Sequence, residues 1–153
     1  MNHSTQLPVG PSMLWRSIRH GFARTCAYLW AAPTSTIGLL FLIPSMLRLT
    51  HVHVRIVDGV LEVHGGLVSL FLRHGTLLRG GAAAMTLGHV VLGVNQLALD
   101  ETREHERVHV RQVERWGPLF VPAYLLASII AWMRGRDPYL DNPFEREAFA
   151  RGV

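Results

Sequence analysis

Two histidines four residues apart, with a glutamate beside the first of them, give one segment of this chain a clear potential for chemistry. His105, Glu106 and His109 form the pattern H-E-x-x-H. On a helix, positions four apart share one face, so both imidazoles can bind a single ion. Glu106 then lies about 100° further round, where its carboxylate can reach a water on that ion without binding the ion itself. The motif is therefore typical of a zinc hydrolase in which Glu106 is the catalytic base.

The residues around the motif favour a helix. Asp100 is a suitable N-cap, and Gly117 with Pro118 supplies a stop at the other end. Gln112 shares a stripe with the two histidines, three positions after His109, and is a candidate hydrogen-bond partner for a ligating imidazole. The alternative interpretation is a polar surface helix that carries two histidines by chance.

A catalytic zinc site requires a third protein ligand. The metzincin pattern would place a glycine and a histidine where this chain has Gln112 and Arg115, so that pattern does not apply. A glutamate from a downstream helix is the alternative, and the C-terminal segment contains two, Glu145 and Glu147.

A short helix is predicted over that C-terminal segment, because Asn142 is a good N-cap and Pro143 suits the first helical position. Glu145 and Glu147 would point about 200° apart on this helix, so only one of them can face the ion. Asp141, just before the helix, is a further candidate for orienting a ligating histidine.

H-E-x-x-H followed tens of residues later by E-x-x-A-D/E resembles the pattern of the glutamate-zincins, which include membrane-associated M48-type peptidases. Residues 105–112 and 145–148 are also similar to small bacterial proteins that carry H-E-x-x-H-x-x-Q and E-R-E-A. In the family, the first glutamate of the downstream motif binds the metal, and the matching residue here is Glu145. Phe149 departs from the pattern, since the family usually has an acid at that position.

The resemblance implies a zinc metallopeptidase acting on a peptide or protein substrate. Zn²⁺ would be bound by His105, His109 and Glu145, with Glu147 as the alternative third ligand, and Glu106 would activate the water. The alternative function is a non-proteolytic zinc-binding membrane protein, either an inactive zincin or a structural metal site; an interaction module without metal is a third. The sequence leaves five candidates for a transition-state hydrogen-bond donor: His64, His74, His89, Tyr124 and Tyr139.

Charge is distributed unevenly along the 153 residues. The net charge is +4, and residues 1–50 contain four arginines and no acid. The rest of the chain balances eleven arginines against eleven acids. Because the excess charge belongs to the N-terminal segment alone, no nucleic-acid partner is expected.

The N-terminal third predicts a membrane anchor before a single domain. Residues 1–24 are basic and predicted to be disordered, residues 25–48 predict one transmembrane helix, and residues 50–153 predict a minimal zincin-like metal-binding domain. Arginines precede the apolar run, so the positive-inside rule places the N-terminus in the cytoplasm, at a bacterial inner membrane. Membrane lipid is therefore an expected partner.

A second apolar run, residues 118–133, would extend only about 24 Å as a helix, less than the hydrocarbon core of a bilayer. If it crossed the membrane, Glu145 would also lie on the opposite side from His105 and His109. We therefore expect this run to pack against the domain or to enter one leaflet and return.

The middle of the chain predicts strands. Residues 51–64 alternate around Asp58-Gly59 and predict a β-hairpin, and residues 84–92 predict a further strand. With the two helices, these strands predict an α+β fold: a small zincin-like domain behind an N-terminal transmembrane-like helix. In such domains an edge strand of the sheet binds the substrate backbone.

Overall fold

A four-stranded sheet covered by helices forms the centre of the molecule, so the fold belongs to the predicted α+β class. The structure is a computed structural model, and it describes residues 11–47, 49–76, 78 and 80–152. In chain order the elements are α1 Pro11–Leu40, α2 Ile43–Met46, β1 His53–Val57, β2 Val60–His64, α3 Gly66–His74, β3 Ala84–Leu87, β4 Val90–Gly93, α4 Gln96–Trp116, a 3-10 turn Gly117–Leu119, α5 Phe120–Met133 and α6 Pro143–Arg151.

The first two strands form the predicted hairpin, β1 and β2 being antiparallel. Its turn residues Asp58 and Gly59 have φ values of 50° and 81°, as in the type I′ turns that match the twist of paired strands. Glu62 on β2 is buried and accepts a hydrogen bond from Nε of Arg103 at 2.9 Å. This charged pair attaches the hairpin to α4.

The strand predicted over residues 84–92 is instead two antiparallel strands, β3 and β4, separated by a turn at Gly88 and His89. Gly88 has a φ of 69°, and a Cβ on this residue would lie 2.5 Å from the backbone nitrogen of Ser35 in α1. Only glycine satisfies both the left-handed backbone and the close approach of the helix.

The sheet order is β1-β2-β4-β3, with β2 and β4 parallel at its centre. A parallel pair requires a crossover connection, which here contains α3, a helix that the sequence analysis did not predict. Val68 and Leu72 of α3 pack with Val63 and Leu92 in the core. The edge strands are consequently β1 and β3.

The motif helix α4 begins at Gln96, earlier than predicted. Its N-cap is Asn95, whose Oδ1 accepts a backbone hydrogen bond at 2.8 Å in the first turn. Asp100 lies inside the helix, where its carboxylate pairs with Arg103 rather than capping backbone groups. Gly117 follows the last residue of the helix, as predicted.

The N-terminal helix differs from the predicted anchor at both ends. Residues 11–24, predicted to be disordered, belong to α1, and residues 1–10 lie outside the described residues. The predicted helix over residues 25–48 stops at Leu40. Pro44 cannot donate a backbone hydrogen bond to continue it, and it occupies the first turn of α2 instead.

α1 also packs on the domain rather than standing apart from it. The hydroxyl of Tyr28 donates to the carbonyl oxygen of Gly59 at 2.8 Å, and Oγ of Ser35 accepts from the backbone N–H of His89 at 3.0 Å. These contacts join α1 to the turns at the ends of both strand pairs.

One helical stretch in the described part of the chain, Gln96–Met133, is long and apolar enough to cross a membrane by length and composition. It comprises α4, the 3-10 turn and α5, and α5 contains no charged residue. Most of the large apolar side chains along α5 are exposed: Leu125, Leu126, Ile129, Ile130, Trp132 and Met133. The chain then returns, and α6 packs against α4.

Candidate metal centre

The structure brings together the three residues that the motif and the resemblance single out as ligands. His105 and His109 lie one turn apart on α4, and Glu145 lies on α6. His109 and Glu145 are buried, with 6% and 3% of their surface exposed, and His105 is half-buried. Together they form a group that could hold a metal ion.

The position of Glu145 depends on the start of α6, which lies where the sequence predicted it. Asn142 is the N-cap and Pro143 occupies the first turn. The side-chain amide of Asn142 also donates to the carbonyl oxygen of Tyr124 at 3.1 Å and to Oγ of Ser128 at 2.8 Å. One buried side chain therefore both caps α6 and attaches it to α5.

The separations between the donor atoms fit one metal ion. Nε2 of His105 lies 3.1 Å from Nε2 of His109 and 3.2 Å from Oε2 of Glu145. Nε2 of His109 lies 3.3 Å from Oε1 of Glu145. Metal–ligand bonds of about 2.0–2.1 Å at tetrahedral angles imply about 3.3–3.4 Å between ligand atoms.

The surroundings of Oε2 of Glu145 also fit a bound metal ion. This atom is buried and accepts no hydrogen bond from the described residues, a costly arrangement for a carboxylate oxygen. A cation bound between the imidazoles and the carboxylate would satisfy it. The residues present therefore fit a metal ion.

Glu106, the glutamate of the motif, contacts the sheet through its carboxylate, which also lies near enough to the imidazoles of His109 and His105 to interact with their charges. It is buried, and the hydroxyl of Thr86 on β3 donates to its Oε2 at 2.6 Å. In the described part of the chain no hydrogen bond reaches its second oxygen, Oε1, which leaves that atom available to a proton. Sequence reasoning missed Thr86, because no local signal connects a strand residue with a helix residue 20 positions later.

The electrostatics of the cluster favour a bound cation. Burial acts to raise the pKa of Glu145, but the adjacent imidazoles of His105 and His109 outweigh it and lower that pKa to about 2. Burial disfavours charge on His109, yet its pKa is raised by the adjacent carboxylates of Glu145 and Glu106. Burial also raises the pKa of Glu106, against the opposing charges of His109 and His105 and the hydrogen bond from Thr86.

Gln112 and Glu147, named as a histidine partner and an alternative ligand, lie beside the cluster and contact each other. Oε1 of Gln112 lies 2.8 Å from Nδ1 of His109, and its amide nitrogen donates to Oε2 of Glu147 at 3.0 Å. Glu147 also pairs with Arg151 at 3.0 Å. Glu147 therefore faces away from the three ligand atoms.

Asp141 does not join the cluster. Its Oδ2 accepts from the backbone N–H of Asp137 at 3.0 Å within an exposed turn. Its side chain serves the loop that precedes α6, and this contact gives no support to the prediction that Asp141 orients a ligating histidine.

Aromatic side chains surround the ligands. The hydroxyl of Tyr124 donates to Oε1 of Glu145 at 2.7 Å. The ring of Phe149, at the position where the resembled family has an acid, packs against His105 with centroids 4.7 Å apart. Tyr139 packs edge-on against Phe149.

Of the five candidate transition-state donors, Tyr124 and Tyr139 lie near the ligands. His89 pairs instead with Glu114, on another face of α4, and stacks on Tyr28. His64 stacks on His53 across the hairpin.

Comparison with models of known protein families, with curated proteins and with solved structures finds no match.

Proposed function

We propose that this protein is a membrane-associated zinc metallopeptidase. The observation that carries the proposal is the convergence of His105, His109 and Glu145 at separations of 3.1–3.3 Å, with Oε2 of Glu145 left without a hydrogen bond. Two imidazole nitrogens and one carboxylate oxygen match the ligand type and number of a catalytic zinc site. We also propose that the sheet with α4 and α6 is a minimal zincin-like arrangement.

The chemistry follows from the ligands and the buried acid. Zn²⁺ held by these residues would lower the pKa of a water and polarise a scissile carbonyl. Glu106 takes the proton of the attacking water and later passes it to the leaving amine. Thr86 restrains one oxygen of Glu106 and leaves the other free for this transfer.

Two tyrosines are placed to stabilise the developing oxyanion. Tyr124 donates its one hydroxyl proton to Oε1 of Glu145 at 2.7 Å and would have to turn from that oxygen to donate to the oxyanion. Burial and the charge of Glu145 raise the pKa of Tyr139, so its hydroxyl stays protonated and able to donate. We propose these two side chains, rather than a histidine, as the transition-state donors.

Edge strand β3 offers a place for the substrate backbone. It carries Thr86, the hydrogen-bond partner of Glu106, and it pairs within the described sheet only with β4. A peptide added to its outer edge would bind through backbone hydrogen bonds and would lie next to the catalytic base.

The test of the proposal is metal content together with hydrolysis. We expect about one zinc per purified chain, and cleavage of an unstructured protein substrate that a chelator abolishes and added zinc restores. Zinc is measured by elemental analysis and cleavage by gel and mass spectrometry. A chain without stoichiometric metal would contradict the zinc site, and a zinc-loaded chain without cleavage would contradict the peptidase.

A structural zinc site is the second candidate function, and the burial of the ligands favours it. The side chains of His109 and Glu145 are 7% and 4% exposed, and Phe149 covers part of His105. An ion here would join α4 to α6 and stabilise a small domain. The two functions differ in outcome: removal of a structural zinc unfolds the chain, whereas the catalytic site predicts a folded, inactive apoprotein.

We infer that the protein lies on the bacterial inner membrane through α5 and the exposed apolar side of α1. α5 has 14 residues, a length of about 21 Å, short of the roughly 30 Å hydrocarbon core. Its first turn adjoins α4, and Asn142 and Glu145 on the returning chain bond to its Tyr124. Since the chain that follows α5 returns to the first half of this helix and to α4, we place α5 in one leaflet rather than across the bilayer.

Replacing Leu126 and Ile129 on α5 by glutamate is expected to release the protein from vesicles. Each apolar side chain buried in lipid contributes roughly 1.5–3 kcal/mol, so the pair should lower partitioning by about 100-fold or more. Flotation with lipid vesicles measures the bound fraction. Leu97→Glu, at an exposed position on the first turn of α4, is the matched control and should leave binding unchanged. Equal flotation of both variants would refute the placement of α5.

A further inference from the structure

The side-chain amide of Gln112 lies buried between the two helices that carry the candidate ligands, with 1% of its surface exposed. Its amide nitrogen donates to the carbonyl oxygen of Phe144 and to Oε2 of Glu147, both at 3.0 Å. Among the described residues, all of its polar contacts beyond α4 are with α6.

Both of these partners can only accept hydrogen bonds. Phe144 contributes a backbone carbonyl, and Glu147 contributes a carboxylate whose other oxygen lies 3.0 Å from Nη1 of Arg151. Turning the Gln112 amide over would place its oxygen against two other oxygens. The amide therefore has one favourable orientation, with Oε1 directed at His109.

This orientation of the Gln112 amide bears on which ring nitrogen of His109 carries the proton. Oε1 of Gln112 lies 2.8 Å from Nδ1 of His109 and can only accept, which favours the tautomer of the neutral ring that carries its proton on Nδ1. Nε2 then has a free electron pair. That nitrogen is the one that lies 3.1 Å from His105 and 3.3 Å from Glu145.

We propose that Gln112 is a positioning residue that sets the tautomer of His109 and, through the same amide, holds α6 so that Glu145 meets that nitrogen. The proposal rests on the proposed function, since it concerns the ligand set of the zinc site. Phe144 directly precedes Glu145, so one side chain couples the lone pair of one ligand to the position of another.

The tautomer can be read in the metal-free protein. Long-range proton–nitrogen NMR spectra of the imidazoles, recorded where His109 is neutral, should show the proton on Nδ1 in the wild type. Gln112→Met keeps the length and packing of the side chain but removes the acceptor. We expect this variant to lose the preference for Nδ1–H and to bind zinc about 10- to 100-fold more weakly.

Two further variants separate positioning from packing. Gln96→Met, a glutamine-to-methionine change on the first turn of the same helix, should alter neither the tautomer nor zinc affinity. Gln112→Glu retains an acceptor for His109 but places a second carboxylate against Glu147. Adding Glu147→Gln removes that repulsion and returns a donor, so the double variant should keep Nδ1–H and recover zinc affinity to within about 10-fold of wild type.

The outcomes distinguish this inference from the proposed function. A wild-type His109 that carries its proton on Nε2, or a folded Gln112→Met variant with unchanged tautomer and affinity, would overturn the positioning role even if zinc is bound. Wild-type protein with the proton on Nδ1 but no affinity for zinc would support the inferred geometry and overturn the zinc site alone.

Discussion

Glu106→Gln is expected to lower the rate of peptide hydrolysis by about 100- to 10,000-fold while leaving the zinc content at about one per chain. The amide has the shape of the carboxylate but cannot take a proton from water. It can still accept the hydrogen bond of Thr86, so the local structure should persist. The measurement is the rate of cleavage at saturating substrate, together with elemental analysis of the same samples.

Glu104→Gln is the matched control for this variant. Glu104 lies two positions earlier on α4 and is exposed, so the same change there should leave both rate and zinc unchanged. Full activity of Glu106→Gln would exclude Glu106 as the general base. Loss of zinc from this variant would instead show that the carboxylate contributes to metal binding.

Glu145→Ala is expected to weaken zinc binding by more than about 100-fold, beyond the 10- to 100-fold typical of losing a hydrogen-bond partner of a ligand. The variant removes the only carboxylate in the described cluster that faces both imidazoles. It also leaves the hydroxyl of Tyr124 without its hydrogen-bond acceptor in the same cluster. Competition with a chelator of known affinity measures the change.

Glu147→Ala is the comparison that distinguishes the two candidate third ligands. Glu147 bonds Gln112 and Arg151 and faces away from the ligand atoms, so its loss should cost no more than about 10- to 100-fold. If Glu147→Ala loses zinc as completely as Glu145→Ala, the assignment of the third ligand is wrong.

The parts of the site that follow from short-range rules could be predicted from sequence. Helical periodicity places His105 and His109 on one face whatever the rest of the chain does. The capping preference of Asn142 and the fixed φ of Pro143 start α6 at the predicted residue. The turn at Asp58-Gly59 likewise depends only on two residues that tolerate positive φ.

Predictions based on apolar runs were less accurate, because hydrophobicity alone does not distinguish a lipid neighbour from a protein neighbour. The run before residue 48 is divided by Pro44, and its helix docks on the sheet through Tyr28 and Ser35. The run over residues 84–92 contains a turn at Gly88 that the approach of α1 makes necessary.

By itself, the sequence determined the α+β class, the H-E-x-x-H helix and the two acidic candidates for a third ligand. The tertiary structure decided which acid meets the imidazoles: Glu145 and Glu147 differ by about 200° around one helix, and only the packing of α6 on α4 selects a side. It also brought the hydroxyl of Thr86 within hydrogen-bond distance of Glu106 and fixed the orientation of the Gln112 amide. These contacts join residues 20 to 40 positions apart in the chain, and no local preference encodes such distances.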